Sequence, residues 1–106
     1  MKRWKILVVD DEPQNLRLME IMLTPLGYDV HLAESGVMAL QRIESITPDL
    51  ILLDVMMPDM DGFALLGHIR ENYPSTRVIM VTAHANVQHA VRMMQHGAID
   101  YIPKPW

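Results

Sequence analysis

The sequence alternates between short runs rich in apolar residues and longer stretches in which apolar residues recur at helical spacing. The apolar runs occupy residues 6–9, 30–32, 50–55, 78–82 and 101–102. Such runs are typical of strands that are buried in a sheet. Strands that alternate with helices in this way predict right-handed β-α-β units, and hence a parallel sheet with helices on both faces. Pro103 has no N–H for a strand ladder, so the fifth strand is expected at an edge of the sheet.

Helical spacing also predicts which side of each helix is buried. In the first helix the repeating apolar positions are Leu16, Met19, Leu23 and Leu26. Gly27 is the expected stop of this helix. In the fourth helix the repeating positions are Val87, Ala90, Val91 and Met94. Asn86 is its expected cap. Because methionine fills irregular gaps in cores, we interpret Met19, Met80 and Met94 as core residues.

Composition narrows the functions that this chain can have. A length of 106 residues suits one domain, and a hydrophobic fraction of 50% excludes intrinsic disorder. The net charge of −4 argues against direct binding of nucleic acid, which requires clustered Lys and Arg. The absence of cysteine excludes disulfides and thiolate chemistry. No apolar run approaches the ~18 residues of a membrane span or the core of a signal peptide, so we expect a cytoplasmic domain without a membrane partner.

Polar side chains follow four of the five predicted strands. They are Asp10, Asp11, Asp54, Thr82 and Lys104. Because the carboxyl ends of parallel strands share one edge of the sheet, we expect these side chains to converge on one crevice. Three neighbouring carboxylates repel one another unless a cation joins them, and ligands that are all oxygen suit Mg²⁺. A lysine and a threonine add phosphate-binding groups, so a carboxylate here is placed to become an aspartyl phosphate.

Each of these residues also has an ordinary structural interpretation. Asp10 and Asp11 are acids of the kind that favour a helix N-terminus, and Thr82 is a common strand residue. Lys104 taken alone is a solvated lysine. A buried Asp54 is harder to explain in this way, because an unpartnered carboxylate inside a protein is costly. The joint placement of these residues, rather than any one of them, favours phosphoryl chemistry.

Four segments resemble the receiver domain of bacterial two-component response regulators. The segments are VVDDE (8–12), DVMMPDMDG (54–62), VTA (81–83) and YIPKP (101–105). The resemblance extends over nearly the whole chain and implies a flavodoxin-like, doubly wound α/β fold with a five-stranded parallel sheet in the order 2-1-3-4-5. The family has five helices, whereas this chain ends at Trp106. We therefore interpret residues 1–106 as a receiver domain that is truncated at its C-terminus and lacks the fifth helix.

The resemblance implies a metal-assisted phosphorylation site. Asp54 would be the phosphoacceptor and a ligand of Mg²⁺. Asp11 would bind the ion directly, and Asp10 mostly through water. The backbone carbonyl of Met56 would supply a further ligand, and Gly62 would shape the loop after the phosphorylated strand.

Other residues would bind the phosphoryl group or respond to it. Thr82 would bind a phosphoryl oxygen and move towards it, while Tyr101 would swing inward as a switch. Lys104 would pair with the phosphoryl group, placed by a cis peptide bond to Pro105. Met56 and His84 would flank the group and set its lifetime.

The implied function is that of a phosphorylation-dependent signal receiver. A histidine kinase or a small phosphodonor would phosphorylate Asp54, and the altered surface would act on an output domain or a downstream protein. The chain would not be an enzyme beyond its own phosphorylation and dephosphorylation. An alternative is a receiver-like interaction module that phosphate does not switch. A Mg²⁺-dependent phosphatase usually has a second acid two residues after its nucleophile, and Met56 at that position counts against this class.

The missing fifth helix predicts a bare apolar face. In this winding the first and fifth helices share one side of the sheet, so apolar side chains of the fourth and fifth strands would meet water there. Exposed apolar patches of that size tend to find a partner. The expected outcomes are a homodimer through the bare face, exchange of elements between chains, or marginal folding.

Overall fold

The computed structural model describes residues 3–55, 57, 61–82 and 87–103. Within these ranges the strands are β1 (Lys5–Val9), β2 (Asp29–Ala33), β3 (Leu50–Asp54), β4 (Arg77–Thr82) and β5 (Asp100–Pro103). The α-helices are α1 (Pro13–Leu23), α2 (Gly36–Ile46), α3 (Gly62–Asn72) and α4 (Val87–Gln95). None of these helices has the length and apolar character needed to cross a bilayer.

The strands form one parallel sheet in the order β2-β1-β3-β4-β5. This order confirms the predicted doubly wound topology and places β5 at an edge. In the register of the sheet Asp54 lies opposite Val81, and Thr82 lies opposite Pro103. The ends of β1, β3 and β4 therefore lie side by side in the middle of the sheet.

Side chains of each strand alternate between two apolar clusters on opposite faces of the sheet. The larger cluster contains Leu7 and Val9 of β1 and is covered by α2, α3 and α4. The smaller cluster contains Ile6 and Val8 and is covered by Leu16 of α1. Burial on both faces is the reason that the three inner strands β1, β3 and β4 are nearly continuous apolar runs.

The end of α1 differs from the prediction. The helix ends at Leu23, and Thr24–Leu26 form a short 3₁₀ turn that Gly27 closes with a φ of 97°. Pro25 has no N–H with which to continue the α-helical hydrogen bonds. Leu26 is consequently 71% exposed and does not share the buried face of α1.

The buried face of α4 also differs from the prediction. Met93 is fully buried in the larger cluster, whereas Val91 and Met94 are 49% and 46% exposed. The interpretation of Met94 as a core residue is therefore wrong, while Met80 is fully buried as predicted. Met93 and Met94 lie in two neighbouring apolar rows along this helix. The row that contains Ala90 and Met93 packs against α3 and the sheet. Asn86 lies outside the described residues.

An apolar groove lies beside α1 on the face of the smaller cluster. Its volume is about 470 Å³. Its lining residues are Trp4, Ile6, Met19, Leu23, Tyr28, Leu50, Leu52 and Ile102. Ile102 of β5 is 38% exposed there, as expected for a face that α1 alone covers.

Candidate functional site

Three carboxylates meet at the carboxyl ends of β1 and β3. Asp10 and Asp11 follow β1, and Asp54 is the last residue of β3. One oxygen from each carboxylate lies within 4.8 Å of the other two. The structure thus brings together the acidic residues that the sequence analysis selected, because β1 and β3 are neighbours in the sheet.

Asp10 is buried and held in a fixed orientation. Its Oδ1 accepts a hydrogen bond from the backbone N–H of Glu12 at 3.0 Å, and its Oδ2 accepts one from Nδ2 of Asn15 at 3.2 Å. Its own N–H donates to the carbonyl oxygen of Ala33 at 3.1 Å. These hydrogen bonds satisfy both oxygens of a carboxylate that would be costly to bury without partners.

Asn15 contributes to this site but was not among the predicted site residues. Asn15 lies in the first turn of α1, five residues after Asp10. The first turn of a helix that follows a parallel strand returns to the end of that strand, so a polar residue there is a candidate for contact with the site. Position in the β-α unit was the signal that could have identified Asn15.

Asp54 is the carboxylate that the central strand of the sheet contributes. It is buried at the end of the central strand, and the N–H of the following Val55 donates to the carbonyl oxygen of Val81 at 3.0 Å. This bond fixes the chain after Asp54 against β4. Asp11 is the most exposed of the three, so it lies on the solvent side of the group.

The three carboxylates fit a Mg²⁺ ion. All of the donors in this group are oxygen atoms, with no histidine or cysteine among them. Mg²⁺ is commonly bound by one or two carboxylates while it keeps several waters, and the spacing of the oxygens allows ligation directly or through those waters. Asp10, Asp11 and Asp54 are therefore the described residues that would hold the ion.

Thr82 and Tyr101 lie on the neighbouring strands. Thr82 ends β4 and is fully buried beside the end of β3. Tyr101 of β5 is half-buried and packs against the larger cluster from a position opposite Met80. Their predicted parts in binding and switching remain predictions.

Several predicted site residues lie outside the described residues. They are Met56, His84, Lys104 and Pro105. Their assigned parts as metal ligand, flanking residues, phosphoryl partner and cis peptide also remain predictions.

The start of α3 packs directly against the end of β3. A Cβ atom on Gly62 would lie 2.8 Å from Cα of Val55 and 2.9 Å from the carbonyl oxygens of Asp54 and Val55. Only glycine allows so close an approach, which agrees with the predicted part of Gly62 in shaping this loop. Asp61 caps the helix, since its Oδ1 accepts a hydrogen bond from the N–H of Phe63 at 2.9 Å.

The sequence is similar to that of known transcriptional regulators over its whole length. It is 41% identical over 106 residues to the DNA-binding transcriptional regulator NtrC of Escherichia coli (strain K12), in an alignment that covers 100% of this chain and 23% of that protein. The chain thus spans about a quarter of the length of the curated relatives that it matches.

The fold is similar to that of solved receiver domains. A CheY-like response regulator receiver domain protein of Methanospirillum hungatei JF-1 is 34% identical, with a TM-score of 0.92 over 99% of this chain and 84% of that one. The BeF3-activated receiver domain of DrrB, a protein of Thermotoga maritima, is 32% identical, with a TM-score of 0.89 over 99% of this chain and 87% of that one. The family profile of the response regulator receiver domain matches residues 6–106. The chain therefore belongs to the family of response regulator receiver domains.

Proposed function

We propose that the chain receives a phosphoryl group on Asp54, with Mg²⁺ held by Asp10, Asp11 and Asp54, and that phosphorylation alters its interaction surface. The observation that carries the proposal is the meeting of three carboxylates within 4.8 Å at the carboxyl edge of the sheet. Two of them are buried, and the burial of carboxylates lowers stability. Residues that lower stability in this way are characteristic of functional sites. A bound Mg²⁺ would supply the positive charge that offsets repulsion between these carboxylates and an incoming phosphate.

Asp54 is the best placed of the three carboxylates to act as the nucleophile. Asp54 ends the central strand next to the buried Thr82 of β4, whereas Asp10 and Asp11 follow the neighbouring strand on the other side. A carboxylate oxygen of Asp54 would form a bond to phosphorus while the bond from phosphorus to the donor breaks. The electron pair of that bond would leave with the donor, which is a histidine nitrogen of the kinase or an oxygen of a small phosphodonor.

Thr82 and Lys104 would stabilise the charge that the phosphoryl group brings. Thr82 is buried beside the end of β3, so its hydroxyl is near the place where the phosphoryl oxygens would lie. We propose that it donates a hydrogen bond to one of them, and that the ammonium group of Lys104 pairs with another. Tyr101 would then change its packing as Thr82 moves.

The proposed partners are a histidine kinase and an output domain or downstream protein. NtrC is a DNA-binding transcriptional regulator that is more than four times as long as the aligned segment. A domain with a net charge of −4 is a poor binder of DNA. We therefore propose that this chain controls a partner or an attached domain and does not itself contact nucleic acid.

Intact-mass measurement with Mg²⁺ and a small phosphodonor tests the proposal. We expect the gain of one phosphoryl group that base and hydroxylamine remove, and we expect Asp54→Asn to abolish this gain. Asp100→Asn is the matched control, because Asp100 lies exposed at the amino end of β5, across the sheet from the site. Full phosphorylation of Asp54→Asn would refute the assignment. A folded wild-type chain that gains no phosphate would favour the interaction module, and turnover of a phosphomonoester would favour an enzyme.

We also propose that the 106-residue polypeptide associates with itself through the apolar groove beside α1. The groove is lined by large apolar side chains, among them Trp4, Leu23 and Ile102. Burial of such a surface is favourable at about 25 cal/mol per Å². Light scattering coupled to size exclusion should show a mass that rises with concentration, and Ile102→Glu should lower that mass. A monomer at every concentration would contradict this proposal.

A further inference from the structure

The ring of Phe63 at the start of α3 contacts Arg92 in the last turn of α4 and His96 directly after that helix. The guanidinium carbon of Arg92 lies 4.0 Å from the ring centroid, which is a cation–π contact. The imidazole of His96 meets the ring edge-on, with the centroids 5.4 Å apart and the planes at 61°. Nδ1 of His96 donates to the carbonyl oxygen of Arg92 at 2.7 Å, which orients the imidazole.

A second contact joins the same two helices. Arg70 is two turns after Phe63 and therefore lies on the same side of α3. Its stem covers Gly97, where an added Cβ would lie 2.6 Å from Cδ and 2.8 Å from Cγ of Arg70. Gly97 has a φ of 100° in the turn that ends α4. We call these two sets of interactions, made by Phe63, Arg70, Arg92, His96 and Gly97, the α3–α4 contact.

The α3–α4 contact is continuous with the end of β3. Phe63 directly follows Gly62, which lies against the backbone of Asp54 and Val55. The N–H of Gly62 donates to the carbonyl oxygen of Val55 at 3.3 Å, and the N–H of Phe63 donates to Asp61. Because Gly62 packs this closely on the backbone of Asp54 and Val55, a shift of that backbone would displace the first turn of α3.

We infer that the α3–α4 contact couples the chain after Asp54 to the position of α4, with Phe63 and Arg92 as positioning residues. This inference rests on the proposed function of Asp54. Phe63, Arg70 and Arg92 lie on α3 and α4, whereas Thr82 and Tyr101 lie on β4 and β5. Substitutions in α3 or α4 can therefore remove the connection through the helices while Thr82 and Tyr101 are left unchanged.

Amide hydrogen exchange tests whether the contact holds α4, independently of phosphorylation. Arg92→Met keeps the apolar stem and removes the guanidinium, while Phe63→Leu keeps an apolar side chain and removes the ring. A cation–π contact at an exposed site corresponds to about a two- to fivefold change in a local equilibrium. We expect exchange in α4 to accelerate by that factor in both variants. The effects should not add in the double variant, because both remove one interaction.

Arg42→Met is the matched control, since it makes the same change on the exposed side of α2. We expect it to leave exchange in α4 unchanged. Unchanged exchange of α4 in both Phe63→Leu and Arg92→Met would overturn the contact as a restraint on α4.

The coupling itself is tested by amide chemical shifts upon addition of Mg²⁺ and BeF3⁻. The solved DrrB receiver domain is described as activated by BeF3. In the wild type we expect shifts at Asp54, at Val55 and along α4. In Phe63→Leu and Arg92→Met the shifts at Asp54 and Val55 should persist, while those along α4 lose most of their size. Full α4 shifts in both variants would overturn the coupling. A wild type with no shift at Asp54 would refute the proposed function and with it the coupling, while the exchange result still decides whether the contact restrains α4.

Discussion

One aspartate directly precedes β3 and another ends it, and the two carboxylates have different neighbours. Asp49 at the amino end accepts a hydrogen bond from the backbone N–H of Lys5 at 2.8 Å. The backbone of Asp49 also bonds to Lys5 and to Arg77, so it ties β3 to both neighbouring strands. Asp54 at the carboxyl end instead shares its position with the carboxylates of Asp10 and Asp11.

The difference separates an aspartate that stabilises the fold from the aspartate for which we propose a function. At the amino end a negative charge meets an N–H donor, an arrangement that lowers the free energy of the folded state. At the carboxyl end three like charges converge, and their mutual repulsion raises this free energy until a cation is bound, although hydrogen bonds such as those to Asp10 offset part of it. Residues that oppose stability in this way are characteristic of functional sites.

The largest effect is expected from a side chain placed beside the functional end of β3. Gly62→Ala would drive a Cβ into the backbone of Asp54 and Val55, and we expect it to lower the free energy of unfolding by about 3 kcal/mol. Gly67→Ala on the same helix is the control, because no atom lies within 4 Å of its added Cβ. It should raise the free energy of unfolding by up to about 1 kcal/mol. Urea unfolding of both variants measures the difference, and equal stabilities would show that the close packing of α3 on β3 is unimportant.

Replacement of each aspartate by asparagine should change the free energy of unfolding in opposite directions. Asp49→Asn weakens a charge-assisted hydrogen bond and should lower the free energy of unfolding by about 1 kcal/mol. Asp54→Asn relieves repulsion between like charges and should raise it by about 1 kcal/mol when divalent ions are absent. Chemical unfolding in a chelating buffer gives both values. Destabilisation by both substitutions would mean that the two ends of β3 do not differ in the way described.

The parallel sheet and the meeting of the carboxylates were predictable from the alternation of strands and helices, whereas the strand order was implied by the resemblance to receiver domains. Parallel topology alone places Asp10, Asp11 and Asp54 at one edge, whatever the details of packing. The buried face of α4 was not predictable from spacing, since the row of Val87, Val91 and Met94 is the more apolar one, yet Met93 rather than Met94 is buried. The packing of α3 decided between them. The hydrogen bond from Asn15 to Asp10 was missed for a different reason, because the position of Asn15 in the first turn after β1 was a signal that the prediction did not use.

Mg²⁺ binding to Asp11→Ala tests whether the three carboxylates form the metal site. Asp11 is the most exposed of the three carboxylates, so its loss should disturb the fold least. Thr82→Ala is the control, because it changes a neighbouring side chain that carries no charge. We expect Mg²⁺ titrations followed by amide chemical shifts to show a large loss of affinity in Asp11→Ala and nearly wild-type affinity in Thr82→Ala. Equal Mg²⁺ affinity in the wild type and in folded Asp11→Ala would contradict the assignment of these carboxylates as the metal site.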